Sequence, residues 1–469
     1  MSSEYPYAER FGVNDVLPQH GRPREEVLTE LREMAQLEDP AWESGRCSGT
    51  MYCGDHEHYA FLNEAFGLYA HVNALQRDIC PSNTRFEGEI IAMTLDLMHA
   101  ESVSGSTPAG LVTTGGTGSI LHAVLSYREH AAQECGVTRP NLIKPETAHP
   151  AFDKACHLFG VELRRAPVDP ATMLVDLAWV EDHADEQTIA VIGSACSYGH
   201  GIVDPIADLG QLALAGGYGL HVDGCLGGFI LPFGQELEYD IPLFDFRVPG
   251  VTSISADTHK YGYALKGSST LLFRDKALRN SQYFFLTDWS GGKYCSPGME
   301  GSRSGGLLAA TWASMVHLGR DGYRGYAKQI FDTSDRMQQA VRSHRQLRIL
   351  GQPTFLFSFT SDEFDIYHVN DFMRKRGWRF NGQQYPNAVH MGVTRPQTKD
   401  GVVEAFSDDL AEAVKYAEDQ HAAGAEPASG AIYGGVAGGM TSEADEFICM
   451  VMADMMDRQQ MLPARAALT

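Results

Sequence analysis

The sequence contains no apolar run approaching the roughly 20 residues that a membrane-spanning helix requires, so membrane insertion is not expected. Its opening residues, Met1-Ser2-Ser3-Glu4, lack the charged and apolar pattern of a secretory signal. The nine cysteines are odd in number and none pairs as CxxC, which argues against a disulfide framework and against a zinc or other metal site. Free thiols in a reducing compartment, and hence a cytoplasmic location, are the expectation. Positive charge is scarce: 37 Lys and Arg stand against 60 Asp and Glu, a formal charge of −23. That deficit argues against nucleic acid or an anionic membrane surface as the main partner. It leaves room for a small anionic ligand, because a few local cations can dominate a pocket. Internal repeats are absent.

What is present is enough for a large core: 469 residues, 43% of them hydrophobic and 21% charged. Residues 1–90 are mostly polar and read as an N-terminal arm and small lobe. Over 91–330 helix-like and strand-like pieces alternate. Short apolar runs at 111–113, 141–143, 188–192, 219–222, 251–254 and 269–273 predict strands. Segments 86–100, 119–134, 153–159 and 206–215 predict helices. Strands apolar on both faces, separated by helices, indicate an α/β domain with a mainly parallel central sheet. A long helix from 307 to about 344 leads to 331–469, where strands at 347–350, 354–360 and 388–393 and helices at 366–375 and 402–422 predict a smaller α+β domain. The Gly/Ala/Ser-rich stretch 422–439 reads as a loop.

The chemistry concentrates at two predicted strand ends. Lys260 sits in Ser255-Ala256-Asp257-Thr258-His259-Lys260-Tyr261-Gly262, just after the run 251–254. Asp223 ends Leu220-His221-Val222-Asp223, 37 positions earlier. A lysine amine that condenses with an aldehyde, plus a carboxylate that keeps a pyridine nitrogen protonated, is what pyridoxal phosphate (PLP) requires. Such a lysine must be neutral to attack, and burial or nearby cations can depress its pKa. Thr113-Thr114-Gly115-Gly116-Thr117-Gly118-Ser119 lies between a strand and a helix, where freed backbone N–H groups can hold a phosphate. It is neither a Walker A loop nor GxGxxG. His149, at another strand end, could stack on a planar ring. Lys266, six residues beyond Lys260, could clamp an anion or shuttle a proton; its plain alternative is a surface charge.

Together these segments resemble the sphingosine-1-phosphate lyases, in the group II decarboxylase branch of fold type I (aspartate aminotransferase-like) PLP enzymes. The resemblance rests on TTGGTGSIL at 113–121, AHPAFDKA at 148–155, HGIVDPI at 200–206, HVDGCLGGFILPF at 221–233, FDFRVPGVTSISADTHKYGYALKGSS at 244–269, TDWSGGKYCSP at 287–297 and GSRSGG at 301–306, with SGTMYCGD at 48–55 and AIYGG at 431–435. It implies that Lys260 binds PLP as a Schiff base, that Asp223 faces the pyridine nitrogen and that His149 stacks on the ring. Gly116, Thr117 and His259 would hold the cofactor phosphate, with Ser302 reaching in from the second subunit of a homodimer. Tyr52, Asn73, Gln76 and Lys266 fall at substrate-phosphate positions and Tyr433 at the pocket wall. The absence of a leading membrane helix matches the soluble bacterial members.

The implied reaction is retro-aldol cleavage of a phosphorylated amino alcohol to an aldehyde and an amine. The chain departs from the family in four places. Gln76-Arg77 replaces His-Pro, and Gly118 replaces a glutamate of the phosphate loop. Ala195-Cys196-Ser197-Tyr198 replaces a proline-containing segment, and Leu265 replaces a proline. Arg77 stands where an anion contact could be restored. PLP labilises whichever Cα bond stands perpendicular to its ring, so amino-acid decarboxylation is the rival reading, with Arg77 or Arg303 available to hold another substrate group. A PLP-fold scaffold without catalysis is the non-enzyme alternative.

Overall fold

The computed structural model describes residues 5–430, 435 and 441–463. Its centre is a sheet of seven strands: β1 (Ala109–Thr113), β2 (Asn141–Pro145), β3 (Glu162–Ala166), β4 (Thr188–Ser194), β5 (Gly219–Asp223), β6 (Ser253–Ala256) and β7 (Ser269–Phe273), in spatial order β1-β7-β6-β5-β4-β2-β3. The run from β6 to β3 is parallel, and β7 is antiparallel to both neighbours. Every residue of β2, β4, β6 and β7 is buried, as expected of strands covered on both faces. Successive side chains point to opposite faces, so Leu142 and Ile143 of β2 join different apolar clusters. Helices Gly116–Glu134 and Ala151–Phe159 pack together and share one of these clusters, and Ile206–Gly216 packs in the other.

A hairpin of β8 (Phe284–Leu286) and β9 (Tyr294–Ser296) follows, and then the long helix Gly305–Arg342. A second, antiparallel sheet is ordered β10 (Arg348–Ile349), β11 (Leu356–Thr360), β13 (Ala388–Gly392), β12 (Asn381–Gln383). The C-terminal helix Ser442–Gln459 buries none of its residues.

All six strands expected in the large sheet are present. The seventh, β3, is an edge strand with only its last residue buried, and its sequence Glu-Leu-Arg-Arg-Ala has no apolar run to announce it. The helix expected at 119 starts at Gly116, so the glycine loop itself forms the first turn. A first turn leaves its backbone N–H groups without helical partners, which suits an anion. The stretch 422–439 lies partly outside the described residues, and Tyr433 lies wholly outside them.

Candidate active site

Adjacent parallel strands end together, because Ser194 of β4 pairs with Asp223 of β5, and Asp223 pairs with Ser255 of β6. Lys260 lies on the turn after β6, closed by Tyr263 N–H donating to Lys260 O at 3.0 Å and Ala264 N–H to Thr258 O at 2.9 Å. A cavity of 480 Å³ opens over these strand ends. It is lined by Gly116, Thr117, His149, Asp223, His259 and Lys260, together with Asp257 and Glu300, which the sequence reading did not assign. Gly116, His149, Asp223 and Lys260, up to 144 positions apart in the chain, thus meet because they follow the carboxyl ends of strands, where α/β sheets bind ligands.

Asp223 is buried, and its Oδ1 accepts from Cys225 N–H at 3.0 Å and from Ser255 Oγ at 3.3 Å. Burial alone would raise its pKa, but the Cys225 contact and the imidazoles of His149 and His221 hold it below the ordinary value. It is therefore ionised and ready to meet a pyridinium N–H. His221 is locked by Ser253 Oγ at 2.7 Å and Ser255 Oγ at 3.3 Å, and burial lowers its pKa to about 4. His149 Nδ1 accepts from Ala151 N–H at 3.1 Å, which orients the ring at the cavity wall. Burial pulls its pKa down, so it is a flat neutral imidazole near neutral pH.

At Lys260 the neighbouring carboxylate outweighs burial. Burial does push its pKa down, but Asp257 lies 2.9 Å away with a side chain only 1% exposed, and the net direction is up. The carboxylate sits three residues before the lysine, and the turn brings the two together. His259 Nε2 lies 3.6 Å from the same oxygen, and Ser268 N–H donates to its Nδ1 at 3.3 Å. The low-pKa amine is instead Lys266. Its exposed ammonium sits 4.4 Å above the Tyr52 ring and donates to His259 O at 3.4 Å. Desolvation, followed by the charge of Lys260, lowers its pKa to about 8 even though water still reaches it. Tyr52 is buried, packs edge-on to Tyr261 at 5.1 Å, and its phenol pKa rises to about 12 through burial.

These residues fit PLP. The Gly116 backbone passes so close that a Cβ there would stand 2.6 Å from Asp257 Oδ2 and 3.1 Å from Cys225 Sγ, so only glycine fits at this point of the cavity wall. An amine, a strand-end carboxylate, a flat imidazole and an N–H loop line one space.

Of the residues expected at the substrate, Asn73, Gln76, Tyr52 and Lys266 do not line the Lys260 cavity, and neither does Ser302, expected at the cofactor phosphate of the second subunit. Asn73 Nδ2 donates to Ser302 Oγ at 2.9 Å, and Gln76 is exposed. Arg77 does not offer a free anion contact, and neither does Arg303. Both guanidiniums bind Glu87, Arg303 at 2.8 and 2.9 Å. Tyr198, noted in the sequence only as part of a departure, stands edge-on to His149 at 6.4 Å and stacks on His390 at 5.0 Å.

Comparison with known proteins agrees with this geometry. The family model described as "Pyridoxal-dependent decarboxylase conserved domain" matches residues 6–356. The sphingosine-1-phosphate lyase of Dictyostelium discoideum is 41% identical over 419 residues, covering 89% of this chain and 78% of that protein. The Arabidopsis thaliana sphingosine-1-phosphate lyase is 43% identical, covering 87% and 75%. The solved structure of a Burkholderia pseudomallei sphingosine-1-phosphate lyase is 59% identical, with a TM-score of 0.87 over 90% of this chain and 97% of its own. A Lactobacillus brevis glutamate decarboxylase, 21% identical with a TM-score of 0.72, shares the fold. No described helix is long and apolar enough to cross a membrane. With Lys260 and Asp223 converging on one cavity and relatives above 40% identity over most of the chain, the protein belongs to the sphingosine-1-phosphate lyase family of PLP-dependent lyases.

Proposed function

We propose that the protein cleaves the Cα–Cβ bond of a phosphorylated long-chain amino alcohol of the sphingosine-1-phosphate type, releasing an aldehyde and a phosphorylated amine. The observation that carries this substrate class is the 59% identity to the Burkholderia pseudomallei lyase over 97% of that chain. Bound PLP supplies the electron sink for the pair left at Cα. Lys260 provides the amine that holds the cofactor, Asp223 keeps the pyridine nitrogen protonated, and His149 covers the ring face. His259, Gly116 and Thr117 hold the cofactor phosphate. Lys266, with a pKa of about 8, is suited to move the proton that leaves the β-hydroxyl and to meet the substrate phosphate beside Tyr52.

The same reading includes a homodimer in a cytoplasmic setting. The Asn73–Ser302 pair lies off its own chain's cavity and would serve the site of a neighbouring copy, with Gln76 nearby. It also includes a division at residues 1–90, 91–330 and 331–469, with the seven-stranded sheet inside the second part and the antiparallel sheet inside the third.

The decisive assay offers the enzyme phosphorylated amino alcohols and, separately, amino acids. Aldehyde from the former is expected; carbon dioxide from the latter with no aldehyde from any amino alcohol sinks the lyase reading. The engagement of Arg77 and Arg303 by Glu87 disfavours decarboxylation, because neither guanidinium is free to hold another substrate group. Lys266→Ala is expected to lower turnover about a hundredfold while the visible absorbance of bound PLP persists. Loss of that absorbance would reassign Lys266 to cofactor binding.

A further inference from the structure

The phosphate loop carries Gly118 where the resemblance leads one to expect a glutamate, and a carboxylate approaches the same place from another segment. Glu300 lies in the three-residue gap between the matched stretches 287–297 and 301–306. Its Oε1 accepts from Thr114 Oγ1 at 2.8 Å, and its Oε2 lies 3.2 Å from His122 Nε2. That nitrogen also faces the Met299 N–H at 3.1 Å, while His122 Nδ1–H donates to Gly118 O at 2.7 Å. The loop from Thr114 to Gly118 is thus gripped at both ends. A Cβ built on Gly118 would stand 2.9 Å from Thr114 Oγ1 and 3.9 Å from Glu300 Oε1. A long side chain at 118 and the Glu300 carboxylate therefore compete for one space.

The geometry points to Glu300 as a positioning residue: from the neighbouring segment it supplies the carboxylate that position 118 lacks, and through its hydrogen bond with Thr114, packed beside the His122 ring, it holds the glycine loop in the shape that binds the PLP phosphate. A loop of three glycines in four residues has much conformational freedom to lose, and converging N–H groups need an external brace. A carboxylate beside a phosphate is repulsive unless it is engaged, and here Thr114 Oγ1 donates to Oε1 while Oε2 lies against the His122 ring. The inference rests on PLP being the cofactor and goes beyond it by assigning a new residue to its binding.

The test titrates PLP into apoprotein and follows the absorbance of the bound cofactor, for the wild type, E300Q, T114V and the double variant. Each single change is expected to weaken PLP binding about tenfold, and the double variant to be little worse than either. Losses that multiply, or affinities equal to that of the wild type, overturn the assignment. Should E300Q not fold, T114V alone reads the contact, and an unchanged affinity overturns it. In an E300A background, G118E is expected to recover part of the lost affinity; no recovery overturns the relocation. A wild-type protein that takes up no PLP overturns the cofactor reading as well, a result distinct from any of these.

Discussion

Lys260→Ala is expected to remove the visible absorbance of the PLP-reconstituted protein and to lower aldehyde production by at least about a thousandfold. Other amines near the cavity cannot readily replace it. Lys266 is held over Tyr52 and against His259 O, and Lys144 is buried between Ala148 O and Asp153. The substitution also strands Asp257, whose side chain is 1% exposed and loses its partner at 2.9 Å. An unpaired buried carboxylate is costly, so part of any activity loss could come from a less stable fold. Lys260→Gln separates the two effects: its amide can still donate to Asp257 but cannot condense with an aldehyde. Folded Lys260→Gln without absorbance or turnover is the expected outcome. Turnover retained in both variants would mean that some other amine holds the cofactor.

Asp257 illustrates what was legible in the sequence and what was not. It was part of the stretch around Lys260, yet nothing linear shows that a turn after β6 folds its carboxylate back onto the amine. The buried β-strands were readable because a sheet covered on both faces demands apolar residues at every position. The edge strand β3 was not, because only Ala166 of Glu-Leu-Arg-Arg-Ala is buried and the charged residues leave no apolar run. The reversed direction of β7 leaves no local signature either, since a buried antiparallel strand reads like a parallel one. Lys260, Asp223, His149 and the glycine turn at 115–118 were legible because each carries a distinctive residue type at a strand end or strand-to-helix turn, whereas Thr117 and His259 came only with the family resemblance. Glu300, Tyr198 and Glu87 act through partners far away in sequence, and a lone carboxylate or phenol announces no partner. For Arg77 the charge is visible in the sequence, but its engagement by Glu87, ten residues on, is not.

That carboxylate is the basis of the largest stability effect expected outside the cavity. Glu87 sits on the helix Ser82–Leu97, against the free edge of β1. Its Oε1 accepts from Val112 N–H at 3.0 Å and from Arg303 Nη1 at 2.8 Å, and Arg303 Nη1 also reaches Val112 O at 2.9 Å. The pair satisfies the strand-edge groups that another strand would otherwise bind, which protects the edge. Glu87→Ala leaves two guanidiniums and a backbone N–H without their acceptor, and a loss of about 3–5 kcal/mol is expected. Urea denaturation followed by tryptophan fluorescence measures it; a change under about 1 kcal/mol would show that water replaces the carboxylate without penalty.

The pH dependence gives an independent check. Burial would raise the Glu87 pKa, but Arg303 and then Arg77 lower it to about 2 from the ordinary 4.5. A group depressed in the folded state stabilises fully above its unfolded pKa and loses that contribution as pH falls toward the folded one. The difference corresponds to about 3 kcal/mol, lost between roughly pH 4.5 and pH 2. The wild type should therefore lose its advantage over Glu87→Gln across that window, while the two differ by a constant amount above it. Because Arg303 adjoins Ser302 and closely follows Glu300, a looser Glu87 clamp should also weaken PLP binding. Glu87→Gln that keeps wild-type PLP affinity at neutral pH would show that the edge clamp and the phosphate loop are energetically independent.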